Sequence, residues 1–206
     1  MIIGIPVYDQ VDLLDVTGPY EMFRWAKFEI ELVAERPGLV SFRDSFSFQV
    51  MKGFEHAATY DVLWVPGGDP AALAKLMGDH KRSYLDFLVR QSRSAKIVAS
   101  VCEGALLLAA AGLLDGYEAT THWAFIPCLR ERFPKVKIAP RHPRFHLDRN
   151  RLTGGGISSG LDEALKLIEI LCGIEVAREV QQTTQYYPKP PVTSRIPRAT
   201  TCPLPA

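Results

Sequence analysis

Apolar positions in this chain form short continuous runs that alternate with stretches of helical periodicity. Strands are predicted at residues 1–8, 28–34, 62–65, 97–101, 136–139, 145–147 and 151–153; of these, 62–65 has the continuous apolar pattern of a buried strand, whereas 28–34 alternates. The helical stretches are residues 20–27, 71–77, 83–93, 103–111, 124–133, 161–172 and 174–183, and a short side hairpin is predicted at 46–53. Strands separated by helices predict an α/β fold with a mostly parallel sheet and helices on both faces.

Parallel sheets bind ligands at the carboxyl ends of their strands, so the loops at that edge are where chemistry is expected. These loops are 8–19, 66–70, the turn at Cys102 and 154–156. Residues 17–19 (Thr-Gly-Pro) are interpreted as a helix start signal, which places Asp15 in a loop before the helix. The proline-rich residues 187–206 are predicted to form an arm or a disordered end outside the core.

One cysteine occupies the junction between a predicted strand and a predicted helix. Ser100-x-Cys102-x-Gly104 is a variant of the Gly-x-Ser-x-Gly pattern, in which a strand turns sharply into a helix and exposes a nucleophile. Gly104 is expected where close packing leaves no room for a side chain, and the helix N-terminus would stabilise a thiolate on Cys102. The alternative is a buried core cysteine, because free cysteine is among the most buried residue types.

Three other groups are candidates to act with Cys102, and each also has a purely structural interpretation. Asp15 is a carboxyl that could move a proton if burial raises its pKa, or else a cap or turn residue. The backbone N–H groups at Gly67 and Gly68 could stabilise an oxyanion, or the two glycines could form a plain tight turn. His122 is a possible base for the thiol, or else a packed or surface histidine.

Glu103 directly follows the cysteine. As the first helical residue it is favoured by the helix dipole without any further role, whereas a charge turned toward Cys102 would oppose thiolate formation. The glycine-rich run 153–160 lacks the Gly-Lys-Ser/Thr ending of a phosphate loop and the Gly-x-Gly-x-x-Gly spacing, so nucleotide binding is rejected. Its glycines, Gly155 among them, are instead expected to let a strand end pass close to the Cys102 pocket.

Composition and charge narrow the classes of partner. The 206 residues suit one large domain, and a formal net charge of +1 gives no reason to expect binding to nucleic acid or to an anionic membrane. The first residues lack the basic start of a signal peptide, and no apolar run is long enough to span a bilayer. The four cysteines, Cys102, Cys128, Cys172 and Cys202, have no CxxC spacing, so neither a zinc site nor a disulfide framework is predicted, and a reduced, cytoplasmic location is expected.

Six motifs, in one order along the chain, resemble those of the ThiJ/PfpI superfamily. They are Asp15-Val16-Thr17-Gly18-Pro19, Val65-Pro66-Gly67-Gly68, Ser100-Val101-Cys102-x-Gly104, residues 109–116, Ala119-Thr120-Thr121-His122-Trp123 and Leu152-Thr153-Gly154-Gly155-Gly156. Within the superfamily the chain is most similar to the isonitrile (isocyanide) hydratase branch and to the sensor domains of certain AraC-type regulators. The resemblance extends from the first strand to about Tyr187.

The resemblance implies a flavodoxin-like, class I glutamine amidotransferase-like domain over residues 1–187 and a proline-rich tail over 188–206. It also implies that Cys102 is the nucleophile, Asp15 the acid/base carboxyl and the backbone at 67–68 the anion-stabilising loop. Neither a metal nor an organic cofactor is implied. The resemblance implies a homodimer. It also implies a small-molecule substrate, an isonitrile that the enzyme converts to an N-substituted formamide.

This sequence departs from the hydratase branch at two places near the expected pocket. The branch typically has threonine after the nucleophile, where this chain has Glu103, and Thr-Gly after the Pro-Gly-Gly turn, where this chain has Asp69-Pro70. Both changes add negative charge. Glu103 also argues against the protease-like members, which have histidine directly after the cysteine. His122 matches by position a histidine near the thiol in other members.

Three other classes of protein fit the same motifs. The first is a different cysteine enzyme of the superfamily, such as a glyoxalase-like or amidase-like hydrolase that acts on a small carbonyl compound. The second is a ligand-sensing domain without turnover, related to the AraC-type regulators; because the residues after 187 offer no helix-turn-helix, direct DNA binding is not expected. The third is a redox protein that uses Cys102 as an oxidisable thiol.

Overall fold

The computed structural model describes residues 1–42 and 46–205. Its strands are β1 (Ile2–Pro6), β2 (Glu29–Ala34), β3 (Gly38–Ser41), β4 (Ser47–Val50), β5 (Lys52–Gly53), β6 (Val62–Val65), β7 (Ile97–Ser100), β8 (Glu118–Ala119), β9 (Lys137–Ile138), β10 (Phe145–Asp148) and β11 (Arg151–Gly154). Its α-helices are α1 (Leu13–Trp25), α2 (Pro70–Gly78), α3 (Ser83–Ser92), α4 (Gly104–Ala110), α5 (Ile126–Arg132), α6 (Ser159–Cys172) and α7 (Ile174–Thr183). Within the described residues, none of these helices is long and apolar enough to cross a membrane.

The central sheet has seven strands in the order β10-β11-β7-β6-β1-β2-β5. Neighbouring strands are parallel except for β10 and β11, which are antiparallel. Helices α1, α6 and α7 pack together on one face, and α2 to α5 pack together on the other. The predicted flavodoxin-like α/β sandwich is therefore confirmed, and the carboxyl ends of β1, β6, β7 and β11 meet at one edge.

The two strands at the centre of the site are buried along their whole length. Every residue of β6 and β7 is buried, because helices cover both faces of a parallel sheet. Such strands are continuous apolar runs without alternation, which is the pattern that residues 62–65 and 97–101 show. The indole of Trp64 in β6 is fully buried and packs edge-on against Phe23 of α1.

Helix α1 begins at Leu13, well before the predicted helix at 20–27, so the prediction that Asp15 lies in a loop is wrong. Pro19 is inside the helix and has no N–H to donate to the Asp15 carbonyl one turn earlier. The indole N–H of Trp64 donates to that carbonyl at 3.0 Å instead. A side chain from β6 thus supplies the hydrogen bond that the proline cannot donate. The sequence near Pro19 carries no sign of this donor.

The short strands differ from the prediction. The side hairpin is formed by β3 and β4, so its first strand precedes the predicted range 46–53, and β5 joins the central sheet beside β2. The sequence did not predict β8, which pairs in parallel with β9. Strands of two residues are too short to show a hydrophobic period, and their pairing depends on tertiary contacts.

Residues 187–205 form an extended arm whose side chains are mostly exposed, but its far end is packed against the domain. Leu204 is 5% exposed and belongs to the hydrophobic core. Cys202 forms a disulfide with Cys128 of α5. The predictions of no disulfide and of an arm wholly outside the core are therefore wrong. Two cysteines separated by 74 residues carry no local signal of their pairing.

Candidate active site

Cys102 lies at the sharp turn between β7 and α4, at the carboxyl edge of the central sheet. Its backbone φ is +57°, in the left-handed region that non-glycine residues rarely occupy. Two residues later, a Cβ on Gly104 would lie 2.1 Å from the carbonyl oxygen of Val65, so only glycine fits against β6. The turn has the geometry of a nucleophile elbow, with Gly104 in the close-packed position expected of it.

Two neighbouring loops hold this strained turn in place. The Cys102 N–H donates to the Gly155 carbonyl at 2.8 Å. The Thr121 hydroxyl donates to the Cys102 carbonyl at 2.7 Å. The glycine-rich run therefore passes close to the cysteine, as its sequence predicted. Cys102 is only 1% exposed, so its thiol is held within the protein and is closed to solvent in this structure.

Asp15 is fully buried and reaches the elbow from the first turn of α1. Its Oδ2 accepts a hydrogen bond from the Gly67 N–H at 2.9 Å. Burial raises the pKa of Asp15 well above its usual value, the charges of Asp12 and Glu103 raise it further, and the contacts with Gly67 and Cys102 oppose this shift. The structure thus favours a protonated carboxyl that has a proton to transfer.

The predicted anion-stabilising loop packs directly against the elbow. A Cβ on Gly67 would lie 2.6 Å from the backbone nitrogen of Glu103 and 2.9 Å from Cβ of Cys102, so a side chain is excluded there. The Gly67 N–H already donates to Asp15, so in this structure that donor positions the carboxyl. The role of Gly67 and Gly68 toward a developing anion stays a prediction.

Glu103 is buried beside the cysteine, at 5% exposure, although the first residues of helices are usually solvated. Its Oε2 lies 2.5 Å from the position that a Cβ on Gly67 would take, so the carboxyl packs over the Pro-Gly-Gly turn. The carboxyl also interacts with the Cys102 thiol and raises the pKa of that thiol. Of the two orientations that the sequence allowed, the structure shows the one that faces Cys102.

The thiol of Cys102 is not poised as a thiolate. Burial raises the pKa of Cys102 well above its usual value, the charges of Asp15 and Glu103 raise it further, and the backbone N–H of Ile157 acts in the opposite direction. Burial and the two carboxyls therefore act against the thiolate that the helix N-terminus is expected to favour.

His122 lies at the rim of the site as a neutral ring. Its Nδ1 accepts a hydrogen bond from the Ala124 N–H at 3.3 Å, which places the imidazole proton on Nε2. Burial lowers the pKa of His122, and Asp12 acts in the opposite direction. The 3.9 Å separation of Nδ1 from Oε1 of Glu103 is therefore a contact between a neutral ring and a carboxyl, without an ion pair.

A cavity of about 290 Å³ lies beside the elbow. Its walls include Thr121 and Gly155, which are hydrogen-bonded to the Cys102 backbone, and Ile157. A larger cavity, of about 820 Å³, lies around residues 53–57 and is lined by none of the predicted site residues. The smaller cavity, which His122 and Gly155 line and which stops short of Cys102 and Asp15, is therefore the candidate substrate pocket and the candidate route to the thiol.

Four groups of the kind that bind metals converge at the elbow. The ligand atoms of Asp12, Asp15, Cys102 and Glu103 lie within 4.8 Å of one another. Carboxylates and thiolates are ligands that zinc accepts. The raised pKa values of Asp15 and Cys102 mean that these two groups tend to keep their protons and stay neutral. The cluster can therefore be buried without a metal ion to balance its charge.

The sequence analysis missed a third buried carboxyl below the elbow, Glu163 of α6, which is 0% exposed. Burial raises the pKa of Glu163 well above its usual value, the charge of Asp15 adds to this, and the Ser100 backbone opposes it. A Cβ on Gly154 would lie 1.9 Å from Oε2 of Glu163, so the carboxyl occupies the space that this glycine leaves. The available signal was a glutamate on the apolar face of an amphipathic helix, one turn before Leu167.

A parallel sheet with helices on both faces and a buried cysteine at a nucleophile elbow defines a class of flavodoxin-like cysteine proteins. The profile of the DJ-1/PfpI family matches residues 1–170 of this sequence. The chain belongs to the DJ-1/PfpI family.

Individual relatives agree with this assignment. The chain is 38% identical over 196 residues to isonitrile hydratase from Pseudomonas putida, an alignment that covers 95% of this chain and 82% of that protein. It is 30% identical over 166 residues to the HTH-type transcriptional regulator GbdR of Pseudomonas aeruginosa, but spans only 42% of that regulator.

Solved structures agree in fold. A ThiJ/PfpI family protein from Pseudomonas syringae is similar with a TM-score of 0.83 and 31% identity, over 93% of this chain and 77% of that one. Oxidised DJ-1 from Toxoplasma gondii is similar with a TM-score of 0.77 and 23% identity, over 90% of this chain and 98% of that one. The second similarity concerns the fold alone.

Proposed function

We propose that this protein is a cysteine-dependent hydratase that converts an isonitrile to an N-substituted formamide. One observation carries the proposal: the side chains of Asp15 and Cys102 are both buried and lie close together. Burial raises the pKa of each group, which favours a protonated carboxyl beside a neutral thiol. Such a pair delivers a nucleophile and a proton to one carbon atom without building up charge. The similarity to isonitrile hydratase supports the choice of substrate.

In the first step the sulfur of Cys102 attacks the terminal carbon of R–N≡C. The S–H bond breaks, a C–S bond and a C–H bond form, and Asp15 passes the proton from sulfur to carbon. The product is a thioimidate, Cys102–S–CH=N–R. Because the carboxyl and the thiol are both neutral at rest, Asp15 gives its own proton to the carbon and takes the thiol proton on its other oxygen as the C–S bond forms, so that Asp15 ends the step protonated and no free thiolate accumulates.

In the second step water adds to the thioimidate carbon. As the C–O bond forms and the C=N double bond becomes single, Asp15 gives its proton to nitrogen and accepts one from that water. The C–S bond then breaks, Asp15 relays the hydroxyl proton of the adduct to the sulfur, and the formamide R–NH–CHO leaves. The Gly67 N–H holds Asp15 at the position that both steps require.

The charge around the elbow also selects the substrate. Asp15 and Glu103 are buried carboxyls that act on the thiol, and bringing a further negative charge into this water-poor acidic site is unfavourable. An isonitrile carries no net charge, so its entry adds no repulsion. A carboxylated carbonyl substrate, which the alternative hydrolase function would include, is disfavoured.

The test is the turnover of an aryl isonitrile to its formamide, followed by ultraviolet absorbance. Cys102→Ala removes the nucleophile and Asp15→Asn removes the transferable proton while keeping an acceptor for the Gly67 N–H, so both variants are expected to lose turnover. Cys172→Ala, which removes the other free cysteine, is the matched control and keeps it. Turnover in Cys102→Ala would refute the scheme.

No metal takes part in this scheme. Prolonged incubation with a chelator such as EDTA is therefore expected to leave the turnover rate unchanged, even though four potential ligands converge at the elbow. A loss of turnover that added zinc restores would replace the acid-and-thiol scheme with a metal-dependent one. The proposal also includes a homodimer, which sedimentation tests, and a cytoplasmic location, which cell fractionation tests. The location rests on the similarity to isonitrile hydratase alone, because the Cys128–Cys202 disulfide removes the argument from cysteine usage.

A second candidate, a ligand-sensing domain without turnover, is favoured by one observation. Cys102 is closed to solvent and its pKa is raised, as expected for an unreactive thiol. The similarity to part of a transcriptional regulator agrees with this candidate. Tight binding of an isonitrile without turnover, at equal affinity in Asp15→Asn, would support the sensor over the hydratase.

A further inference from the structure

Residues 187–205, called the strap below, connect the two opposite faces of the domain. They leave α7, which packs with α6 and α1 on one face. They end at α5, on the other face. To pass from one face to the other, the strap crosses an edge of the central sheet.

Both ends of the strap are fixed. At its start, the Tyr186 hydroxyl donates to Oδ1 of Asp162 at 3.1 Å. At its far end, Cys202 is bonded to Cys128, and Arg132 donates to the carbonyl oxygens of Leu204 at 3.2 Å and Pro205 at 2.8 Å. The segment between these anchors is mostly exposed, so the anchors and not the core determine its path.

The middle of the strap passes over the candidate substrate pocket. Ile196 lines the cavity together with Ile157 and His122. It remains 61% exposed, so it forms the outer wall of the cavity and is not part of the core. The disulfide partner Cys128 follows His122 closely in sequence, so the far anchor and the cavity wall belong to the same stretch of chain.

We infer that the strap is a redox-releasable wall of the pocket, in which Ile196 limits the size of the molecules that reach Cys102. With the disulfide intact the strap is held at both ends and the pocket is narrow. A dithiol reductant opens the bond by forming its own cyclic disulfide and passing two electrons and two protons to the sulfurs of Cys128 and Cys202. The far end is then held only by Arg132 and Leu204, and the wall moves away.

This inference concerns access to Cys102 and does not require isonitrile turnover. The readout is therefore the rate at which Cys102 is alkylated, measured by peptide mass spectrometry so that each cysteine is scored separately. Iodoacetamide is the small reagent and fluorescein-5-maleimide the bulky one. The full protein is tested oxidised, and after reduction with dithiothreitol followed by removal of the reductant.

Opening of the strap is expected to raise the rate of bulky labelling about tenfold relative to small labelling, as when a minor open state becomes the major one. Cys202→Ser should show the high ratio without reductant and should not respond to reductant. Ile196→Ala should raise the ratio with the disulfide intact. Val192→Ala, an exposed apolar position on the same strap, is the matched control and should behave as wild type.

The inference is overturned if reduction of the wild type leaves the bulky-to-small ratio unchanged, or raises both rates equally, as general loosening would. It is also overturned if Ile196→Ala and Val192→Ala have the same effect. Because the wild type and Ile196→Ala both keep Cys202, misfolding of Cys202→Ser would not leave the question open. If reduction changed the bulky-to-small labelling ratio in a protein that does not hydrate isonitriles, the inference about the strap would stand and the proposed hydratase function would be refuted.

Discussion

Two regions of this protein depend on cysteine in different ways: the elbow at Cys102 and the strap that the Cys128–Cys202 disulfide holds. At the elbow, the shape of the turn at Cys102 is specified by residues close to it in sequence, with Gly104 against β6 and a left-handed backbone, although Gly155 and Thr121 from other loops hold the turn in place. At the strap, Cys128 and Cys202 are joined across 74 residues and hold an exposed segment against the domain. The elbow is a local device that positions one sulfur, whereas the strap is a long-range constraint on chain entropy.

The difference also appears in the electrostatics. The elbow thiol is enclosed by Asp15 and Glu103, and burial raises its pKa, so its reactivity depends on proton transfer to a neighbour. The strap sulfurs form a bond whose state depends on the surrounding redox potential. The reactivity of Cys102 thus depends on proton transfer, whereas the state of the strap depends on the redox potential. Variants in the two regions are expected to change the free energy of unfolding by different amounts.

The largest effect is expected from Cys202→Ser. Loss of a cross-link that closes a loop of 74 residues increases the entropy of the unfolded chain, which lowers the free energy of unfolding by about 4 kcal/mol. Urea denaturation under non-reducing conditions measures the change. Cys172→Ser, at a free and half-buried cysteine, is the control. Equal midpoints for the two variants would show that the strap does not contribute to global stability.

The next largest effect is expected at the elbow, from Gly104→Ala. The new Cβ would lie 2.1 Å from the carbonyl oxygen of Val65, and the backbone of a fully buried strand cannot move away cheaply. We expect the free energy of unfolding to fall by about 3 kcal/mol. Gly78→Ala has no heavy atom within 4 Å of its new Cβ, and should leave the urea midpoint near that of the wild type.

Features that depend on neighbouring residues could be predicted from the sequence, whereas features that depend on long-range contacts could not. The elbow was predictable because a strand, a nucleophile and a glycine follow one another within a few residues, and that pattern determines the turn. The protonation state of the Cys102 thiol was not predictable, because it depends on burial and on the carboxyls of Asp15 and Glu103, which only the tertiary structure brings to the thiol. The disulfide was not, because no local signal links Cys128 to Cys202.

The start of α1 shows a subtler failure, and Trp64→Phe tests it. Residues 17–19 predict a helix start, but Pro19 lies inside α1, and the indole N–H of Trp64 donates to the carbonyl of Asp15 that the proline leaves without a backbone donor. Trp64→Phe removes that donor and some buried surface, which should lower the free energy of unfolding by about 2 kcal/mol.

A double-mutant cycle separates the lost donor from the lost surface. In the Trp64→Phe background, Pro19→Ala supplies a backbone N–H to the Asp15 carbonyl and should restore about 1 kcal/mol, whereas in the wild type the same change should restore nothing. Thermal unfolding of the four proteins gives the coupling. Equal effects of Pro19→Ala in the two backgrounds would mean that the Trp64 hydrogen bond does not compensate for the proline.

The smallest effect is expected from Glu163→Gln, and it appears only as pH is raised. Burial raises the pKa of Glu163 in the folded protein, so above the usual carboxyl range the unfolded chain releases a proton that the folded protein keeps. Stability is therefore present in full at low pH and is lost as pH rises toward the folded pKa. Glutamine has no proton to release, so the variant should lose less stability than the wild type between pH 5 and 8.

The matched control is Glu175→Gln, at an exposed glutamate that pairs with Arg178 on α7. Urea midpoints at pH 5 and pH 8 for the three proteins give the comparison, and the control should follow the wild type. Asp15 has a pKa raised in the same direction, so part of the pH dependence should survive in Glu163→Gln. If the variant lost as much stability as the wild type between these pH values, the buried Glu163 would be ionised, and the acid cluster below the elbow would need a different source of neutralisation.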